Sequence, residues 1–450
     1  VEPISIRDLE KIGKPEGLAD NWVGTGVVID SRQARRGDVF FCLKGAQTDG
    51  HAFVADAAAR GAVCVVASSW KQNHDASFPV VAVDEPTAAL QTLARNYRRK
   101  FEIPVIAVTG SNGKTTCKEM VRSALSPTFE CIANPGNWNN EIGVPLTLFQ
   151  ISKTTQVAII EMGADRPGDI KTLCDIAEPD SGVVTNVGVA HIEKFGSREA
   201  VAATKKELFD YLLADGVRFV NIDDPWLAPH AKTAKGCVTV SVQNAADYRG
   251  TILATDRRAC VHLRIDTPET TTLEMQLHVP GAHQAMNATM AAAVAMSLGV
   301  EAARVEKALS EFTTLSDRLS MTEKNGYVVI NDTYNASPES MTAALDTLAR
   351  VEAKRRIAVL GDMLELGSAA EDAHAQIGKT AAGKGVTAMF LYGDLSRHVA
   401  RNAGSNVEAR HFSDHETLAT ELKRYLQPGD AVLVKGSRGM HMEKIIEAIG

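Results

Sequence analysis

Short runs of β-branched and other apolar residues recur along the chain, and each is followed by a longer stretch with helical spacing. Alternation of this kind predicts parallel α/β sheets. The first section holds the runs Val27–Asp30, Val39–Leu43, Ala62–Ala67 and Val80–Val83, and closes on a helical segment, Thr87–Lys100. A second unit opens at Ile103–Val108, with later runs at Val157–Ile160, Gly182–Asn186 and Val217–Ile222. Over residues 237–279 polar and apolar positions alternate and threonines accumulate. That pattern predicts antiparallel strands, inserted ahead of a helix that begins near His283. A third unit follows Leu315-Ser-Asp-Arg318, with strands at Val328–Asn331, Ile357–Leu360, Met389–Tyr392 and Ala431–Val434. The expected fold class is therefore α/β, in three domains bounded at 1–100, 101–314 and 315–450 and joined by short hinges.

Composition adds limits. A chain of 450 residues is too long for one core. Hydrophobic residues make up 45% and charged residues 23%, the balance of an ordinary globular protein. The formal net charge of -7, with no basic run, argues against nucleic acid or an acidic membrane as partner. The seven cysteines are odd in number and form no C-x-x-C pair, so neither a disulfide framework nor a zinc site is expected, and a reducing compartment fits. No stretch approaches the roughly 20 apolar residues of a membrane span. The first residues lack the layout of a secretory leader. A cytoplasmic protein is the expectation.

The segment Thr109-Gly110-Ser111-Asn112-Gly113-Lys114-Thr115-Thr116 lies between a buried-strand pattern and a helix. Glycines there let backbone amides approach phosphate oxygens, and the helix N-terminus favours an anion. Lys114 would reach the β/γ phosphates, and the Thr115 hydroxyl would face Mg²⁺. Val108 stands where the strict pattern has glycine, so the loop is a shortened P-loop. ATP and Mg²⁺ are the cofactors it implies. Glu161 and His191 each follow a predicted strand of the same sheet, and could converge on this loop. A carboxylate suits Mg²⁺, whereas a histidine at such a place is otherwise a capped surface residue. The asparagine-rich stretch Asn134–Pro145, with Asn137, Asn139 and Asn140, is either a loop around a polar ligand or a plain Ω-loop.

Taken together, the shortened loop, Gly136-Asn-Trp-Asn-Asn140, Glu161 and Asn186…His191 resemble the Mur ligase superfamily, and the resemblance covers essentially the whole chain. It implies a central P-loop ATPase domain and a Rossmann-like C-terminal domain. It also implies that Glu161 and His191 hold Mg²⁺, and that Lys205 is carbamoylated and supports a second ion. His283 and Asn287, four apart on one helix face, would flank adenine; Gln284 stands where the family often has asparagine. Arg318 and Asp332 match residues that contact the nucleotide. Asp332–Met341, with Asn335 and Ser337, and Val434–Glu443, with Lys435 and Arg438, resemble the dipeptide-adding branch of the family. The diamino-acid-adding branch carries an Asn-Pro-Arg motif that this chain lacks.

Ser31, Arg32, Asp49 and His51 lie in segments similar to the family's uridine-nucleotide-binding domain. The implied reaction is ATP-dependent addition of D-alanyl-D-alanine to a UDP-N-acetylmuramoyl-tripeptide, through an acyl phosphate, in peptidoglycan precursor synthesis. Action as a monomer is expected. A sister ligase adding a diamino acid to the dipeptide nucleotide, and a P-loop ATPase without ligation, are the alternatives.

Overall fold

Every residue of Val105–Thr109 and of Val157–Glu161 is buried. Strands covered on both faces by helices must read as continuous apolar runs. In the computed structural model, which describes residues 2–45, 47–68, 78–189, 192–212, 216–232, 236–313 and 316–449, these two strands are parallel neighbours near one edge of a nine-stranded sheet. From the far edge inward its order is Thr272–Pro280, Cys260–Asp266, Tyr248–Thr255, Cys237–Ser241, Val217–Asn221, Ser181–Val184, Val105–Thr109, Val157–Glu161 and Cys131–Ala133. Ser181–Val184 and Val157–Glu161 both flank Val105–Thr109 in parallel register. The loops leaving the carboxyl ends of these three strands are thus side by side, in the crevice where parallel sheets bind ligands.

The region 237–279 departs from expectation in one respect. Cys237–Ser241 pairs in parallel with Val217–Asn221, and Tyr248–Thr255 joins it in parallel as well. Only Tyr248–Thr255, Cys260–Asp266 and Thr272–Pro280 are mutually antiparallel. The segment therefore extends the central sheet. Local alternation reports which face is wet and carries no information on strand direction, which the connecting chain decides. Above this sheet the alanine-rich helix Gln284–Ser297 is buried nearly all round and packs on the helix Lys114–Leu125.

Besides a two-stranded sheet of Ile4–Ser5 and Val23–Gly24, two larger sheets flank the central one among the described residues. The first has the order Lys14–Glu16, Val80–Ala82, Cys64–Ala67, Asp38–Phe41 and Gly26–Val28, with all but the first strand parallel. The last runs Ser320–Lys324, Tyr327–Asp332, Asp430–Lys435, Arg355–Gly361, Ala388–Tyr392 and Glu408–Phe412, parallel except for its opening hairpin. Ser320–Lys324 and Glu408–Phe412 have no apolar run because they are half-exposed edge strands. No helix among the described residues is long and apolar enough to cross a membrane.

The helix Pro86–Arg98 welds the first sheet to the central unit. It starts with proline at its first turn and a Glu85 carboxylate accepting from the Ala88 amide, a strong start signal. Its buried face packs against the helices Gly143–Leu148 and Asp169–Ala177, so one apolar core runs from Val39 and Val66 to Val105 and Ile160. At its end Arg98 is only 9% exposed. Its guanidinium donates to the carbonyls of Ala177 (3.1 Å), Phe101 (3.1 Å), Ile103 (3.3 Å) and Glu178 (3.2 Å), and to the Asp180 carboxylate at 3.2 Å. Removing one partner of such a network leaves buried carbonyls unsatisfied, at a cost of roughly 3 kcal/mol or more. Arg98→Ala should accordingly lower the midpoint of thermal unfolding by several degrees. An unchanged midpoint would show that water replaces the side chain freely.

Candidate active site

The phosphate loop begins where Val105–Thr109 ends. Gly110 has φ 143°, and a Cβ there would collide with Thr185 Oγ1. Gly113 adopts φ 79° as the N-cap of Lys114–Leu125, so both glycines are demanded by backbone geometry. The loop is buckled to the neighbouring loop after Ser181–Val184. Ser111 N donates to Asn186 O at 3.0 Å and Asn112 N to Asn186 Oδ1 at 2.9 Å. In return Asn186 Nδ2 and Thr185 Oγ1 donate to Asn112 O at 2.9 and 2.7 Å, and Gly188 N donates to Ser111 Oγ at 2.8 Å. Thr109 Oγ1 ties the loop on its other side to Met162 O at 2.7 Å. Thr115 is buried and Thr116 half-buried in the helix's first turn. Lys114 Nζ folds back on the carbonyls of Gly110 (2.8 Å) and Ser111 (3.1 Å). Burial lowers its pKa, against the opposing pull of the Glu161 carboxylate. A polyphosphate would offer this ammonium stronger, charged acceptors.

Glu161 closes the adjacent strand. Its Oε1 accepts from Asn139 Nδ2 at 2.7 Å, while its Oε2 is buried with no hydrogen-bond partner. An orphaned carboxylate oxygen in a buried site is costly unless a cation completes it, and hard divalent ions favour such oxygens. The geometry thus fits a metal ligand. Among the described residues there is no group of three or more His, Cys, Asp and Glu that could hold an ion by themselves. Lys205, on the helix Arg198–Tyr211, is buried, and burial followed by repulsion from Lys114 drives its pKa down to about 7. Much of it is then neutral amine near pH 7, the form that reacts with CO₂. Lys206, next in sequence, is half-buried and paired with Asp210 at 2.5 Å. His191 lies outside the described residues.

The asparagine-rich loop holds together by its own side chains. Asn139 orients Glu161, and Asn140 Oδ1 accepts from the amides of Ile142 (3.2 Å) and Gly143 (2.8 Å). Asn137 is exposed. Asn134, buried within the same loop, belongs to no motif. Its position immediately after a strand is the available signal.

His283 and Asn287 sit beside the loop: a Cβ on Gly113 would lie 3.3 Å from Asn287 Oδ1. Gln284 links the two, with Nε2 3.0 Å from His283 Nε2 and Oε1 accepting from Asn287 Nδ2 at 2.9 Å. Burial holds the His283 pKa low, favouring the neutral ring. From the C-terminal unit, Arg318 stacks on the Tyr334 ring at 3.7 Å. Asp332 is paired with Lys435 Nζ at 2.6 Å, and that buried ammonium also donates to Asn335 O at 2.7 Å. Lys435 is therefore engaged within the protein, whereas the Arg438 side chain is 62% exposed. Asn335 Oδ1 accepts from the Ala336 amide.

Ser337 caps the helix Pro338–Arg350 and donates to Asn112 Oδ1 at 2.9 Å, joining the C-terminal unit to the phosphate loop. Two residues on, Glu339 Oε1 accepts from Val189 N at 2.9 Å. In the first unit Ser31 is buried, and Asp30 grips the exposed Arg32 guanidinium at 2.7–3.2 Å. Asp49 Oδ1 lies 2.6 Å from His51 Nδ1, and His51 Nε2 accepts from Ser68 N at 3.2 Å. These four residues are far in sequence from the phosphate loop, and among the described residues no hydrogen bond links them to it.

Known proteins share this arrangement. Three family models match: "Mur ligase family, catalytic domain" over 24–98, "Mur ligase middle domain" over 108–295 and "Mur ligase, glutamate ligase domain" over 317–438. The UDP-N-acetylmuramoyl-tripeptide--D-alanyl-D-alanine ligase of Bacillus subtilis is 34% identical over 429 residues, covering 94% of this chain and 92% of its own length. Its Escherichia coli counterpart is also 34% identical, covering 94% and 93%. Among solved structures, MurF from Acinetobacter baumannii superposes with a TM-score of 0.91 at 30% identity, over 100% of this chain and 99% of that one. MurF ligase from Thermotoga maritima, solved in complex with ADP, gives 0.84 at 29% identity over 94% and 96%. Likeness of this extent, from the first sheet through the phosphate loop to the last, places the chain in the Mur ligase family.

Proposed function

We propose that this chain is an ATP-dependent ligase that adds D-alanyl-D-alanine to a UDP-N-acetylmuramoyl-tripeptide. The carrying observation is the pairing of a nucleotide loop with a buried, half-satisfied Glu161 and a buried Lys205 of near-neutral pKa, in a chain similar throughout to relatives bearing that name. The terminal carboxylate of the tripeptide attacks the γ-phosphorus of ATP, expelling ADP and forming an acyl phosphate. The amine of the dipeptide then attacks the acyl carbon, loses a proton and expels phosphate.

Lys114 moves from its own loop carbonyls to the phosphates, where its charge counts most as the phosphoryl group is transferred. Bound Mg²⁺, held by Glu161, Thr115, His191 and Lys205 as its carbamate, would supply further charge stabilisation there. Gln284 orients His283 and Asn287 toward adenine, and Arg318 and Asp332 contact the nucleotide from the C-terminal unit. Residues 1–100, through Ser31, Arg32, Asp49 and His51, take the uridine nucleotide, with Asn137, Asn139 and Asn140 near its peptide. Residues 315–450 deliver the dipeptide. With soluble nucleotide substrates, the enzyme works in the cytoplasm, as a monomer.

The amine decides between this reading and a diamino-acid-adding sister. A buried site built for one ammonium and one carboxylate would leave a second ammonium unpaired, which costs several kcal/mol. With ATP and the tripeptide nucleotide, ADP release should depend on D-alanyl-D-alanine and ignore diaminopimelate and lysine. Stimulation by a diamino acid, with the dipeptide nucleotide as acceptor, would overturn the assignment.

The carbamate has its own test. Lys205→Arg keeps a cation but cannot become a carbamate, so turnover should fall by about 10²-fold or more, while Lys206→Arg stays within about twofold. Wild-type protein in ¹³C-bicarbonate should show a carbamate carbon resonance that Lys205→Arg lacks. Equal activity of the two variants, with no such resonance, would reduce the lysine pair to a helix face.

A further inference from the structure

Lys118 is fully buried, one turn along the phosphate-loop helix from Thr115. Residues three apart on a helix share a face. Its ammonium has two partners: the adjacent Glu119 carboxylate at 2.8 Å and the carbonyl of Asn134 at 2.6 Å. Asn134 is itself 1% exposed, and both ends of its carboxamide are engaged as well as its carbonyl. Oδ1 accepts from Glu161 N at 2.8 Å, and Nδ2 donates to Glu161 O at 2.8 Å and to Trp138 O at 2.9 Å.

The strand Cys131–Ala133 ends just before Asn134, and its parallel neighbour ends at Glu161. The Asn134 carboxamide thus takes the place of a peptide group beyond the end of the strand, pairing both the N–H and the C=O of Glu161. Asn139 then fixes the Glu161 carboxylate, and Gly163 N closes the loop on Asn139 O at 2.7 Å. Among the described residues, the Lys118–Asn134 bond is the hydrogen bond that connects this assembly to the phosphate-loop helix. Burying a cation is costly, and a methionine of similar length would fill the same space.

We infer that Lys118 is a positioning residue: through Asn134 it sets where the Glu161 carboxylate stands relative to the Thr115 hydroxyl, and so tunes the affinity of the nucleotide site for its divalent cation. This rests on the metal reading of Glu161 given above. Partners behind metal ligands typically change metal affinity about 10–100-fold when removed.

The test is calorimetric binding of ADP to the full chain with and without Mg²⁺, which needs no turnover. In wild type Mg²⁺ tightens ADP binding. Lys118→Met should bind metal-free ADP within about twofold of wild type, yet lose about tenfold or more of the Mg²⁺ effect. Asn134→Ala should do the same, and the double variant should be no worse than either alone, because both act through one bond. Glu119→Gln removes the ion pair and keeps the Asn134 contact, so its Mg²⁺ effect should match wild type.

Should Lys118→Met fail to fold, Asn134→Ala and Glu119→Gln carry the comparison. A full Mg²⁺ effect in the Lys118 or Asn134 variants, however far their unfolding midpoints fall, overturns the inference, as does its loss in Glu119→Gln. Wild-type ADP binding that ignores Mg²⁺ is a separate outcome, which sinks the metal reading itself.

Discussion

The carboxyl ends of three adjacent parallel strands, Ser181–Val184, Val105–Thr109 and Val157–Glu161, are the constraint on which the rest of this molecule depends. Strands in a parallel ladder stand just under 5 Å apart, so loops leaving neighbouring ends are forced into contact. Here that contact is filled with hydrogen bonds in both directions. Asn186 serves the phosphate loop as donor and acceptor at once, and Thr185 occupies the space that Gly110 leaves open. The loop is held open for an anion by its neighbours, because a free glycine-rich loop would be too mobile to present its amides in one direction.

Around that frame the buried charges are arranged in opposition. Lys114 and Lys205 repel each other, and the Glu161 and Asp165 carboxylates pull on Lys114. The repulsion helps keep Lys205 near neutrality. Lys206, the next residue, differs in that its charge is met by Asp210.

The C-terminal unit is coupled to the same place. Ser337 reaches Asn112 within the phosphate loop, and Glu339 reaches the backbone of Val189 in the loop beside it. A Cβ on Gly188 would approach the Glu339 carboxylate to 3.0 Å, so the two units meet closely there. The helix that follows Asp332–Ser337 therefore touches the phosphate loop directly, through its capping serine.

Much of this was legible in the chain itself. Buried strands announce themselves as apolar runs, and Gly110 and Gly113 mark a loop between a strand and a helix, so local pattern sufficed for the α/β class and for the strand–loop–helix turn at Thr109–Thr116. Half-exposed edge strands such as Glu408–Phe412, and the parallel direction of Cys237–Ser241, were not legible, since neither leaves a local signature. Lys435 and Ser337 looked alike as polar residues of substrate-facing motifs. Tertiary contacts gave one to Asp332 and the other to Asn112. Lys118 and Asn134 carry no motif of their own, and Lys205 is, by sequence, one of two adjacent lysines. What separates these residues from their neighbours is burial and the identity of a partner distant in the chain. Sequence determines which groups are available; only the folded chain decides which of them lose water and to whom they are then bound.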